Sequence, residues 1–201
     1  MRNFQCLAKG VNPTGLLQEL ASQPELWNQY TVRTHHPQSA HRVVDDVLLR
    51  YSRFNSGDDF VEAVCSEIAV VDYPAWYKLP SAHPLIFGLM TQVKGLHLGR
   101  VMVSRVAPGV SIPLHTDRIA PAELAFPDKI PPAQYYERYH VALQSEPGTV
   151  FRCGDEAVYM APGEVWWFDN QQIHGVENNS AADRIHLIVD IRTRHDDYIP
   201  S

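Results

Sequence analysis

Two different periods divide the chain. In the first half apolar residues recur at helical spacing. "NPTGLLQELASQPELW" opens with Asn12 as a candidate cap and Pro13 at the first helical position, and it sets Leu16, Leu17 and Leu20 on one face. "SAHPLIFGLMTQVKG" predicts a second helix, with Ser81 ahead of it, Leu85, Leu89 and Val93 on one stripe, and Gly95 as its stop. "DDFVEAVCSEIAVV" fits either period. From Leu96 onward the period becomes two. "HLGRVMVSRVAPG" alternates through Val101 and Val103 toward Val106 and turns at Pro108-Gly109. "QYYERYHVALQS" predicts the next strand, "TVFRCGDEAVYMAPGE" a hairpin turning at Gly154-Asp155, and "EVWWFDN" a further strand. "RIHLIVDIRT" is almost continuously apolar, the signature of a strand buried on both faces.

Short strands punctuated by turn signals predict a mainly β protein, a barrel or sandwich with helices packed outside. No repeat or linker divides the chain. The expectation is one domain over 1–201, with a helical and irregular part to about 95 and a barrel core over about 96–193. The Pro- and Ala-rich run "PAELAFPDKIPPA" predicts an irregular loop, a candidate lid.

Composition narrows the partners. A formal net charge of -6 argues against nucleic acid, which selects a basic surface. No apolar run approaches the ~20 residues needed to span a bilayer. The first residues lack the apolar core of a signal peptide, and Cys6, Cys65 and Cys153 show no disulfide or zinc spacing. The expectation is a cytoplasmic protein with reduced thiols, away from membranes.

The candidate chemistry lies near strand ends. "VSIPLHTD" carries His115 and Asp117 two residues apart, "DNQQIHG" carries His174 just past a strand, and Arg184 follows ten residues after His174. Two histidines and one carboxylate on one side of a metal are the ligand set of non-haem Fe(II) oxygenases, whose open positions accept a chelating cosubstrate and dioxygen. An arginine at the mouth of a buried strand calls for an anion, and a dicarboxylic cosubstrate supplies one. Taken singly, His115 and Asp117 read equally as a capped turn, and Arg184 as a surface partner of Asp183 or Glu177. His186 and His195 are competing ligands, and His35, His36 and His41 can hold a metal adventitiously.

The spacing His-x-Asp, a distal His and an Arg ten residues beyond resembles the Fe(II)/2-oxoglutarate dioxygenases. Over roughly 96–193 the chain more narrowly resembles the aspartyl/asparaginyl β-hydroxylase family, with a weaker echo in "HHPQSAHRVVDDVLLRYSRF". The Arg-x-His pair of "ERYHVAL", Arg138 and His140, matches that family as well. The resemblance implies a double-stranded β-helix with the metal in its mouth. It implies Fe(II) on His115, Asp117 and His174, and the distal carboxylate of 2-oxoglutarate on Arg184. His140 and Ser104 would lie close to the cosubstrate, and Arg138 would face cosubstrate or substrate. The animal members lack the carboxylate ligand, so Asp117 makes this chain more similar to the bacterial and small-molecule members. The implied reaction is hydroxylation of an unactivated carbon in an amino-acid side chain, free or in a peptide. Two rivals remain open: a cupin using the same barrel for non-oxidative chemistry, and a ligand-binding module without turnover.

Overall fold

The computed structural model describes residues 1–35, 39–52, 70–117 and 136–193. The predicted "PAELAFPDKIPPA" loop, the ambiguous segment with Cys65 up to residue 69, and His36 and His195 lie outside the described residues. The strands are β1 (Phe4–Ala8), β2 (Asp45–Ser52), β3 (Val70–Asp72), β4 (His97–Val106), β5 (Ser111–His115), β6 (Glu137–Gln144), β7 (Thr149–Cys153), β8 (Glu156–Val158), β9 (Val165–Phe168), β10 (His174–Asn178) and β11 (Arg184–Arg192). The helices are α1 (Thr14–Ser22), a 3-10 turn (Pro24–Leu26), α2 (Pro74–Lys78) and α3 (Ala82–Gln92).

The strands form two antiparallel sheets. The larger runs in the order β1-β9-β6-β11-β4-β2-β3 and the smaller in the order β5-β10-β7-β8. From β4 onward the chain alternates between sheets: β4, β6, β9 and β11 fall in the first, and β5, β7, β8 and β10 in the second. The last strand of this run pairs with the first (β11 with β4), and the last but one with the second (β10 with β5). That nested pairing is the jelly-roll order of a double-stranded β-helix. The N-terminal half, expected to be helical and irregular, also holds strands. It contributes β1 to the free edge of β9, and β2 and β3 to the free edge of β4.

Strand alternation gives the large sheet two unlike faces. Its outer face, including Val47, Leu49, Val101, Val103, Val141, Leu187, Val189 and Ile191, packs against Leu16, Leu20 and Leu26, and against Ala75, Leu79, Ile86 and Leu89. Each such fully buried aliphatic side chain is worth about 1.5–3 kcal/mol of transfer. The inner face carries Asp46, Ser104, His140, Arg184, His186 and Asp190, all buried, and the half-buried Arg138. All nine residues of β11 are buried, which accounts for its unbroken apolar reading.

The helix ends differ slightly from expectation. Asn12 Oδ1 accepts from Thr14 N–H at 3.0 Å, and Pro13 stands at the N-cap, one position earlier than predicted. In α3 the core stripe is Ala82, Ile86 and Leu89. Lys94 takes the left-handed turn (φ 55°), and Gly95 N–H reaches Met90 O at 2.8 Å. Gly95 is needed for space instead: a Cβ there would sit 2.5 Å from Ile191 Cγ2.

Candidate metal and anion site

His115 ends β5 and His174 begins β10, and the two are direct ladder partners. His174 is thus a strand residue, one step inside the position its loop reading predicts. The pairing brings the imidazole centroids to 4.4 Å. Each ring's Nδ1 lies 2.8 Å from the carbonyl two residues before it, Pro113 O for His115 and Gln172 O for His174. A carbonyl only accepts, so both Nδ1 atoms carry the proton and both Nε2 atoms present lone pairs. His174 Nε2 lies 3.5 Å and His115 Nε2 3.9 Å from Asp117 Oδ1. His115 Nε2 is buried without a hydrogen-bond partner. Burial first, and then the neighbouring His174, lower His115 to about 4, so the ring is neutral at pH 7. Two neutral imidazoles and a carboxylate thus turn lone pairs toward one small volume, a set that fits a divalent cation.

Asp117 is buried, which by itself raises its pKa, but Arg138, His174 and His115 outweigh burial and hold the carboxylate well below its ordinary value. Arg138 Nη1 lies 2.8 Å from Asp117 Oδ2, an ion pair without hydrogen-bond alignment. Its Nε and Nη2 donate to Asp190 at 2.7 and 2.9 Å. Arg138 therefore stands between two carboxylates and orients Asp117. Asp190 is a site residue that the apolar reading of "HLIVDI" passes over. The signal was a charge placed an even number of residues from Arg184 on a strand of period two.

Deeper in the barrel lies a cationic pocket. Arg184 is 2% exposed and has no carboxylate partner among the described residues. Its Nη2 contacts only His186 Nδ1 at 3.1 Å and His140 Nδ1 at 3.5 Å, with its guanidinium carbon 5.6 Å from the centre of the Phe151 ring. Burial alone lowers the guanidinium to about 9. The shorter contact makes His186 Nδ1 an acceptor, and His140 Nδ1, 3.2 Å from it, then donates. His186 consequently carries its proton on Nε2, which is buried and unpartnered. Both histidines are held neutral, first by burial and then by Arg184. Ser104 is the ladder partner of His186, and its Oγ accepts from Arg33 Nη2 at 3.2 Å. Arg33 is itself paired to Asp46 through contacts of 2.7 and 2.8 Å, and sequence reading does not mark it.

All seven expected site residues thus face the interior of one barrel. His186, a competing ligand in the sequence, lies beside Arg184 and His140 on the same face of the sheet. Trp166 packs inside and Trp167 against the helices, as alternation predicts. Cys153, the ladder partner of His174, gives its thiol to Asp169 O at 3.3 Å, and burial pushes it up to about 12, so it offers no thiolate. Among the three histidines flagged for adventitious metal, the fold brings His41 to the site: its ring stands edge-on to His115 with centroids 4.7 Å apart.

The fold is that of the jelly-roll proteins, with the site's donors on its strands. Residues 74–194 match the aspartyl/asparaginyl beta-hydroxylase family. The chain belongs to that family, and so to the hydroxylases. No curated protein matches it. Among solved structures, a Pseudomonas putida prolyl-4-hydroxylase is similar at a TM-score of 0.51 and 14% identity, over 97% of this chain and 95% of that one. A 2OG-Fe(II) oxygenase family oxidoreductase of Burkholderia pseudomallei overlays at 0.49 and 12% identity, over 76% and 67%. A predicted oxalate decarboxylase of Thermotoga maritima overlays at 0.35 and 21% identity, over 47% and 67%. At 14% identity the likeness to the prolyl-4-hydroxylase extends to the fold alone. No helix among the described residues is long and apolar enough to cross a membrane.

Proposed function

We propose that this protein is an Fe(II)- and 2-oxoglutarate-dependent dioxygenase that hydroxylates an unactivated carbon of an amino-acid side chain, in a free amino acid or a peptide. The observation that carries the reading is Arg184, a fully buried guanidinium with no carboxylate partner among the described residues. It lies in the same barrel as a trio of metal donors. A charge in that setting is costly unless an anion meets it. The non-oxidative cupin alternative gives Arg184 no task.

In this reading His115, Asp117 and His174 hold the iron. Arg184 takes the distal carboxylate of 2-oxoglutarate, with His140 and Ser104 alongside. Iron, 2-oxoglutarate and dioxygen supply the oxidising power, with carbon dioxide and succinate as by-products. The chain's own work is positional. Pro113 O and Gln172 O fix the tautomers of His115 and His174, so that Nε2 is free. Arg138 keeps Asp117 ionised, and its hold on Oδ2 leaves Oδ1 facing the histidines. Phe151 and Phe168, whose ring centres lie 5.2 and 5.4 Å from that of His140, keep the anion pocket dry.

The test is an anaerobic titration of metal-free protein with Fe(II) and then 2-oxoglutarate. A weak visible charge-transfer band that requires both additions, and is absent from Asp117→Ala/His174→Ala, is the expected result. Metal binding without that band would refute the reading. Succinate formation across a panel of amino acids and peptides then identifies the substrate.

A further inference from the structure

We infer that His41 is a fourth protein donor to the metal, occupying a position that substrate must vacate. The inference deepens the metal-site reading above and rests on it. A ring nitrogen of His41, a ring nitrogen of His115 and a carboxylate oxygen of Asp117 all lie within 4.8 Å of one another. Donors bound at about 2.1 Å to one first-row metal are at most about 4.2 Å apart, so a sub-ångström adjustment closes this set. His41 Nδ1 is buried and has no hydrogen-bond partner among the described residues. A buried ring nitrogen left unpaired beside two metal donors is the mark of a missing partner.

The two trios, His115/Asp117/His174 and His41/His115/Asp117, share an edge. One cation on that edge can draw on all four side chains. The four differ in how firmly they are held. His115 and His174 lie on barrel strands, and their Nδ1 protons are tied to backbone carbonyls. His41 lies off the barrel, on the turn before β2. Its backbone is anchored, with His41 N–H donating to Ser39 Oγ at 3.1 Å and Ser39 Oγ to Arg33 O at 2.6 Å, but its ring nitrogen Nδ1 is not. A side-chain rotation alone therefore releases it. Four protein donors leave two of six positions, enough for a chelating 2-oxo acid and none for dioxygen. His41 is the donor free to leave, and its departure couples dioxygen access to the arrival of the amino-acid substrate.

The experiment loads metal-free, full-length protein with Co(II). It records the dissociation constant, the visible absorption and the hyperfine-shifted histidine ring resonances by NMR. Wild type, His41→Ala, His41→Gln and His174→Ala are compared, with thermal melts of the metal-free proteins to confirm folding. The expected result is shifted resonances from three histidines in wild type and from two in both His41 variants, with Co(II) affinity at least tenfold weaker in the latter. Two histidines in wild type, unaltered by His41→Ala but lost in His174→Ala, would overturn the inference and leave the metal site standing. A Co(II) site whose affinity and number of shifted histidine resonances are both unchanged in His174→Ala would overturn both, as would a wild type that binds no Co(II).

Discussion

Replacing Arg184 with methionine should make the metal-free protein more stable, although the residue is assigned to function. Burial lowers the guanidinium from its ordinary value to about 9. At 1.36 kcal/mol per tenfold change in proton affinity, that difference is roughly 5 kcal/mol, a ceiling on the cost of holding the charge inside. Arginine keeps its proton in proteins, so the cost stands in the unliganded fold and does not appear as a titration. The bond to His186 at 3.1 Å and the Phe151 ring return about 2–3 kcal/mol of it. The net gain on removal is roughly 2–3 kcal/mol, within the range found when buried charges are replaced by apolar groups. For a chain of this size that raises the Tm by about 4–12 °C. Scanning fluorimetry of wild type and Arg184→Met reads the difference. In the same assay, metal-loaded wild type at a hundredfold excess of 2-oxoglutarate over Kd gains about 2.7 kcal/mol, and the variant should lose most of that gain. A lower Tm for the variant, together with an intact response to 2-oxoglutarate, would refute the account of Arg184 as a buried charge that binds an anion.

Further outcomes follow from the same geometry. His140 and His186 are held neutral well below 6.5, so as pH drops beneath 6.5 the unfolded chain takes up protons that the folded one refuses. Each then costs up to about 1.4 kcal/mol by pH 5.5. The urea midpoint of the metal-free protein should therefore fall between pH 7.5 and 5.5, and a flat profile would contradict the burial argument. Arg138→Met leaves Asp117 and Asp190 buried without their shared cation. Co(II) affinity at pH 7 should drop about 10–100-fold, with Arg138→Lys recovering part of it. Leu187→Ala opens a cavity between β11 and the helices and should cost about 2–5 kcal/mol in denaturant. Its Co(II) spectrum should be unchanged, because residue 187 faces away from the site.

The barrel strands and the site were largely legible because each left a local trace. β11 reads as a doubly buried strand from its apolar run, and β4 from its alternation up to Pro108-Gly109. His115, Asp117, His174 and Arg184 stand out through spacing. What stayed hidden depends on tertiary pairing. β1 is a strand because β9 offers an unpaired edge, a fact no window of the N-terminal half contains. His41 has no mark in the sequence that sets it apart from its neighbouring histidines, and the turn before β2 brings it beside His115. Arg33 gave no signal because its partners, Asp46 and Ser104, lie on β2 and β4.

The two faces of β11 also bear on how such a protein can change. Positions 184, 186, 188, 190 and 192 turn toward the chamber, while 185, 187, 189 and 191 turn toward the helices. Neighbours along one strand therefore answer to separate selective pressures. The first set supplies Arg184, His186 and Asp190 to the chamber, while the second set secures the architecture against the helices. Chemistry and scaffold are thus interleaved residue by residue on a single strand.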